Sequence, residues 1–175
     1  MPNGLALAVI LLVVMLFLAY IVSIILNFLT PFYSTPKKVA KKIVELFELS
    51  KDHSFVDLGS GDGRMVFMTY NKFKCKSVGY EISPVLLVYF KMRKLLTNPM
   101  DRKIELKEES FFTADFSKYD VVYCCLPSDL LTILEKKFIH ELKKGAKVYT
   151  YRNQLPNKKG KRILIEEKEV YRYTF

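Results

Sequence analysis

Apolar positions follow two regimes along the chain. From Leu5 to Leu29 they are continuous, LALAVILLVVMLFLAYIVSIILNFL, with no charge and no polar face before Ser23 and Asn27. As a helix this stretch is roughly 37 Å long at about 1.5 Å per residue, against about 30 Å of bilayer hydrocarbon. The pattern predicts a single membrane-spanning helix. A cleavable signal peptide would want basic residues near Met1, a shorter apolar run and a small-residue cleavage site, and the sequence offers none of these.

The period then changes. A short linker leads to Thr35, placed to cap a helix with Pro36 in its first turn. The helix is expected through VAKKIVELFEL, with Val39, Ile43, Leu46 and Phe47 on one face and lysines on the other. Strands and helices alternate after it. Strand Ser54–Leu58 is followed by helix Gly63–Lys72, strand Ser77–Glu81 and a helix opened by Ser83-Pro84 that runs to about Leu96. Strands Lys103–Lys107 and Asp120–Cys125, helix Asp129–Leu142 and strand Ala146–Tyr151 come next, and RILIEEKEVYRYTF reads as two strands around a tight charged turn. This is an α/β pattern, predicting a mostly parallel sheet with helices on both faces and a C-terminal antiparallel hairpin. Residues 1–34 are the expected anchor and linker, and residues 35–175 one domain.

Charge adds an orientation. All 28 Lys and Arg and all 18 Asp and Glu lie at or beyond Lys37, so the domain carries the whole formal charge of +10. Lys37, Lys38, Lys41 and Lys42 flank the apolar helix on that side, which places the domain in the cytoplasm, or in the matrix of an organelle. Cys75, Cys124 and Cys125 read as reduced packing residues, in keeping with that side of a membrane. His53 and His140 have no Cys or carboxylate at ligand spacing, so no metal site is expected.

The candidate chemistry sits in Phe55-Val56-Asp57-Leu58-Gly59-Ser60-Gly61-Asp62-Gly63-Arg64, a strand, a Gly-rich turn and a helix start. Dinucleotide sites read G-x-G-x-x-G and set a pyrophosphate on the helix N-terminus. Here the spacing is G-x-G-x-G, and Asp57 ahead of it would repel a pyrophosphate. An acid suits the cationic methionine end of S-adenosylmethionine. Glu81, ending Val78-Gly79-Tyr80-Glu81, is placed to accept from both ribose hydroxyls. Asp57, Gly59, Ser60, Gly61, Gly63 and Glu81 are therefore the expected cofactor-binding residues. The plainer reading is a generic Gly turn and a surface Glu.

At these residues the chain resembles the small protein-lysine methyltransferases that include the mitochondrial ATP synthase c-subunit and adenine nucleotide translocase enzymes and archaeal broad-specificity enzymes. The resemblance runs through TPKKVAKKIVELFEL, VDLGSGDGRMV, GYEISPVLL, SKYDVVYCCLPSDLLTILEKKFIHELKKGAKVYTYRNQLP and VYRYTF. It implies a Rossmann-like class I methyltransferase sheet and S-adenosylmethionine as cofactor, with Thr35 and Pro36 in a segment closing over the site. Relatives often carry an Asp after the third strand for the adenine amino group. This chain has Ser110 there, with Phe111 or Phe112 available to pack on the ring.

The resemblance also implies a protein substrate with a reactive lysine, membrane-associated if the apolar helix is an anchor. A lysine amine is neutral in roughly one molecule in 2,500 at pH 7, so the enzyme needs a desolvated slot or a proton acceptor. The loop Leu126-Pro127-Ser128-Asp129 is the expected slot wall, with Asp129 as the candidate catalytic residue, binding the lysine or relaying its proton, or simply a helix cap. Amine methyltransferases of nucleic acids usually show Asn/Asp-Pro-Pro-Tyr/Phe in that loop, and LPSD lacks both the amide and the aromatic, so no nucleic acid is expected. A lipid headgroup or small-molecule amine, or a silent cofactor-binding module, are the other readings.

Overall fold

The computed structural model describes residues 4–29 and 34–175. The chain divides into two compact units, Met1–Phe32 and Tyr33–Phe175. The first holds helix α1, Gly4–Leu29. Its stretch Gly4–Ile25 is long and apolar enough to cross a membrane by length and composition.

The second unit opens with α2 (Lys37–Glu45) and continues β1 (Ser54–Leu58), α3 (Arg64–Phe73), β2 (Lys76–Tyr80), α4 (Pro84–Thr97), β3 (Ile104–Lys107), β4 (Val121–Cys124), α5 (Ser128–Glu141), β5 (Lys147–Tyr151), β6 (Lys161–Ile165) and β7 (Lys168–Thr174). The seven strands form one sheet in the order β3-β2-β1-β4-β5-β7-β6. β1 to β5 pair in parallel, and β7 runs antiparallel to both neighbours. The predicted hairpin is present, but it folds back so that β7 inserts between β5 and β6. Its turn, Glu166-Glu167, puts both residues at positive φ (47° and 62°), as a two-residue hairpin turn requires.

Side-chain alternation divides the core between the two faces of the sheet. Phe55, Tyr123, Tyr149 and Tyr151 pack with Val39, Ile43 and Phe47 from the α2 segment and with Met65, Val66 and Phe90 from α3 and α4. Val56, Leu58, Val78 and Val148 face the other way, onto Leu131, Leu134 and Phe138 of α5. Period two along β1 therefore puts Asp57 on the α2–α3 face, opposite Tyr123 of β4 and Gly79 of β2 in register.

Helix starts depart from expectation. The N-cap of α2 is Pro36 and receives no side-chain cap bond; Thr35 does not cap it, because its hydroxyl is committed to Tyr123, 2.5 Å away. α2 also ends earlier than the apolar period suggests. Leu46 and Phe47 close it with short-range bonds to Ile43 and Val44, which turns Phe47 into the Phe55 and Tyr149 rings. Pro84 does open α4, but Ser83 makes no cap bond; the N–H groups of Ile82 and Ser83 donate to Glu81 instead. Two 3-10 turns, Phe111–Thr113 and Phe116–Lys118, occupy the stretch before β4.

Candidate cofactor and substrate site

Everything with chemical character gathers at the carboxyl ends of β1, β2, β4 and β5. The strand order reverses between β1 and β4, and open parallel sheets bind ligands in that crevice. The Gly turn starts there. The N–H groups of Gly59 and Ser60 both donate to the Tyr80 carbonyl, at 3.0 and 2.8 Å, so the turn hangs on the end of β2. Gly61 takes φ +57° and Gly63 +75°, conformations that side chains disfavour. At Gly63 space is decisive as well, since a Cβ there would lie 2.4 Å from the Phe90 ring.

Gly79 belongs to this device, although it is not among the residues expected at the site. A Cβ on Gly79 would lie 2.5 Å from Ser60 Oγ and 2.7 Å from Ser60 Cβ. The signal was available: a glycine inside a strand often marks close backbone approach.

Glu81 is fixed by backbone. One carboxylate oxygen accepts from Gly61 N–H at 2.8 Å, the other from Ile82 and Ser83 N–H at 2.9 and 2.8 Å. Gly61 N–H, which a dinucleotide site would offer to phosphate, is thus already given to a carboxylate. Asp57 is different. It is buried, and none of the backbone N–H groups that fix Glu81 donates to it. Burial, then the charges of Glu81 and Asp62, hold its pKa well above the ordinary carboxylate range. The Ser60 hydroxyl in the Gly turn is buried with no hydrogen-bond partner among the described residues. Three neighbouring acids, Asp57, Asp62 and Glu81, and an unpaired hydroxyl fit a cationic ligand with polar groups, such as S-adenosylmethionine, and do not fit a pyrophosphate.

The segment ahead of α2 is tied to this centre from two sides. Thr35 bonds Tyr123 through its hydroxyl, and its carbonyl accepts from Arg64 at 2.7 Å. Asp62 holds both Arg64 and Arg93, at 3.3 and 3.0 Å. Pro36 follows Thr35 on the exposed side. The Ser110 hydroxyl accepts from Phe112 N–H at 3.3 Å, and Phe111 packs on the core on the α5 side of the sheet. Among the described residues no hydrogen bond links either to Asp57 or Glu81.

A second concavity lies between the loop after β4 and the turn after β5. It measures about 260 Å³ and is lined by 125–128 and 151–153. It adjoins the Gly turn, because Leu126 Cδ2 lies 3.4 Å from where a Gly59 Cβ would be. Burial pushes the Cys125 thiol up to about 11, so this thiol stays protonated and weakly nucleophilic in the cavity wall. Asp129 stands in the first turn of α5, exposed, outside this lining, and without a cap bond; Pro127 is the N-cap. The loop Leu126-Pro127-Ser128 thus lines a cavity, and Asp129 is not part of its lining. Among the described residues no cluster of His, Cys, Asp and Glu has metal-site geometry.

Comparison with known proteins agrees with this geometry. Residues 57–162 match the ANTKMT methyltransferase domain. A protein-lysine N-methyltransferase of Saccharolobus islandicus is 28% identical over 138 residues, covering 78% of this chain and 85% of the relative. The human enzyme that methylates lysine in the ATP synthase c-subunit is 29% identical over 127 residues, covering 73% of this chain but 53% of the relative, so the chain spans about half the length of that enzyme. Among solved structures, an RNA methyltransferase from Salinibacter ruber in complex with S-adenosyl-L-homocysteine superposes with a TM-score of 0.76 at 26% identity, over 81% of this chain and 93% of that one. Fold, turn chemistry and family match converge: the chain belongs to the ANTKMT methyltransferase domain family and is an S-adenosylmethionine-dependent methyltransferase.

Proposed function

We propose that the protein is a membrane-anchored protein-lysine N-methyltransferase acting on a membrane or membrane-proximal protein. The observation that carries the reading is the buried Asp57 carboxyl near the end of β1, coupled through its charge to Glu81 across the Gly turn, in a chain whose relatives are named as lysine methyltransferases. Asp57 would hold the cationic methionine end, Glu81 the ribose hydroxyls, and Ser110 and Phe111 the adenine. The bound cofactor supplies the electrophilic methyl group. The protein's part is to hold that cation, exclude water and admit a neutral amine in line with the methyl.

The anchor rests on α1, uncharged throughout, and the side of the membrane on the lysines that begin at Lys37. In this reading the domain lies in the cytoplasm, or in the matrix if the membrane is mitochondrial. Protease added to sealed right-side-out vesicles leaves the domain intact; its digestion there would reverse the assignment.

A nucleic-acid reading draws on the +10 charge and the name of the Salinibacter neighbour. The loop Leu126-Pro127-Ser128-Asp129 speaks against it, having no aromatic to stack on a base. One experiment separates the classes. Membranes holding the enzyme are incubated with methyl-labelled S-adenosylmethionine and split into protein, chloroform-soluble lipid and RNA fractions. Asp57→Asn is the control, since Glu81 also anchors three backbone N–H groups and its loss would disturb the turn itself. Label in protein lysine, absent with Asp57→Asn, is the expected result. Label in lipid or RNA alone would replace this function with another, and cofactor binding without label anywhere would mean a silent module.

A further inference from the structure

Tyr151, at the end of β5, carries the inference furthest. It is 1% exposed, lines the cavity beside the Gly turn, and its hydroxyl has no hydrogen-bond partner among the described residues. A buried hydroxyl left unpaired costs stability, so its persistence in a cavity wall points to a partner that arrives with a ligand. Resting on the function proposed above, we infer that this cavity is the slot for the substrate lysine and that the Tyr151 hydroxyl accepts a hydrogen bond from its ε-amine.

The wall is built for the task. Leu126, Pro127 and Tyr151 line the cavity and give an apolar passage for a four-carbon stem, and the unpaired Tyr151 hydroxyl is an available acceptor. The turn after Tyr151 is held rigidly. Arg152 takes φ +71°, a conformation uncommon for a residue with a side chain. Thr150 Oγ1 donates to the Asn153 carbonyl at 2.5 Å, and Asn153 Nδ2 donates to the Leu126 carbonyl at 2.8 Å, clamping one wall to the other. Farther along, the buried Glu135 carboxylate accepts from the N–H groups of Asn157 and Lys158. A strained, multiply anchored turn beside a cavity is where positioning groups are expected.

Charge completes the slot. The Arg152 guanidinium lies 5.3 Å from the Tyr151 ring centroid and lines the same cavity. A cation there disfavours the ammonium form of an incoming lysine, although exposure of Arg152 screens the effect. With one N–H directed at Tyr151, the amine lone pair faces the donor methyl. The nitrogen forms the new N–C bond as the C–S bond breaks, sulfur keeps that electron pair, and the extra proton on nitrogen passes to solvent.

The test uses the full-length enzyme in membranes, with n-butylamine as the probe for the slot. Tyr151→Phe keeps the ring and its packing, and Ser128→Trp fills the mouth of the cavity. In Tyr151→Phe, kcat/KM for lysine methylation falls about 10- to 100-fold with S-adenosylmethionine affinity unchanged. In Ser128→Trp methylation is lost at unchanged cofactor affinity. Butylamine competes with the protein acceptor in the wild type and loses that competition in both variants. Arg152→Gln moves the acidic limb of the pH–rate profile to higher pH. Wild-type rates in Tyr151→Phe, or undiminished butylamine competition, would overturn the slot while leaving the lysine methyltransferase reading in place. A wild-type enzyme that binds the cofactor and methylates no lysine would overturn that reading first.

Discussion

At the scale of a residue, Asp57 sets function against stability. Its carboxyl is buried and faces Glu81 and Asp62, so the folded protein binds its proton more tightly than the unfolded chain does. An acid shifted in that direction destabilises the native state as pH rises above the usual carboxylate range near about 4, toward the raised folded pKa. Asp57→Asn removes the penalty. Without ligand, the variant is expected to melt above wild type at pH 7, the gap closing as pH falls toward about 4. The same change is expected to weaken both S-adenosylmethionine and S-adenosylhomocysteine by titration calorimetry, because both carry the α-ammonium of the methionine end. A variant with lowered melting temperature and unchanged affinity for both ligands would mean that Asp57 serves the fold and not the ligand.

Among the elements, β2 supports the cofactor turn without offering a side chain to it. The Tyr80 carbonyl takes two N–H groups of the turn, and Gly79 makes room for Ser60. Gly79→Ala forces Ser60 and its turn away from β2. The expected cost is about 1–3 kcal/mol in urea unfolding, with a larger proportional loss of cofactor affinity than of stability. Unchanged affinity would show that the turn adapts. The strands themselves were legible because apolar runs bounded by Gly, Pro and charge have few other solutions, and the Gly turn because acid, spacing and second acid occur together. What escaped was non-local. Thr35 reads as a helix cap until the fold brings Tyr123 to it from 88 positions away. Asp129 reads as a site acid from its place beside the loop, and the fold puts that loop, but not Asp129, in the lining of a cavity. Tyr151 reads as core, and only the absence of a partner within packing distance marks it out. The place of β7 inside the sheet follows from which edge its pattern can bury against, which local propensity does not encode.

For the whole molecule, the membrane anchor proposed for α1 would carry a kinetic consequence that the catalytic unit alone does not share. A catalyst confined with its substrate to one bilayer encounters it by lateral diffusion, so the governing concentration is molecules per unit of membrane area. Diluting a vesicle suspension about tenfold in buffer should leave the methylation rate per enzyme unchanged. Fusing the same vesicles with about tenfold excess empty lipid should lower it by about that factor. A rate that follows bulk volume instead would remove the anchor from the account. The behaviour expected of the tethered enzyme is surface-dilution kinetics, in which the amount of membrane a cell makes, with no change in enzyme or substrate copy number, tunes how completely the target is modified.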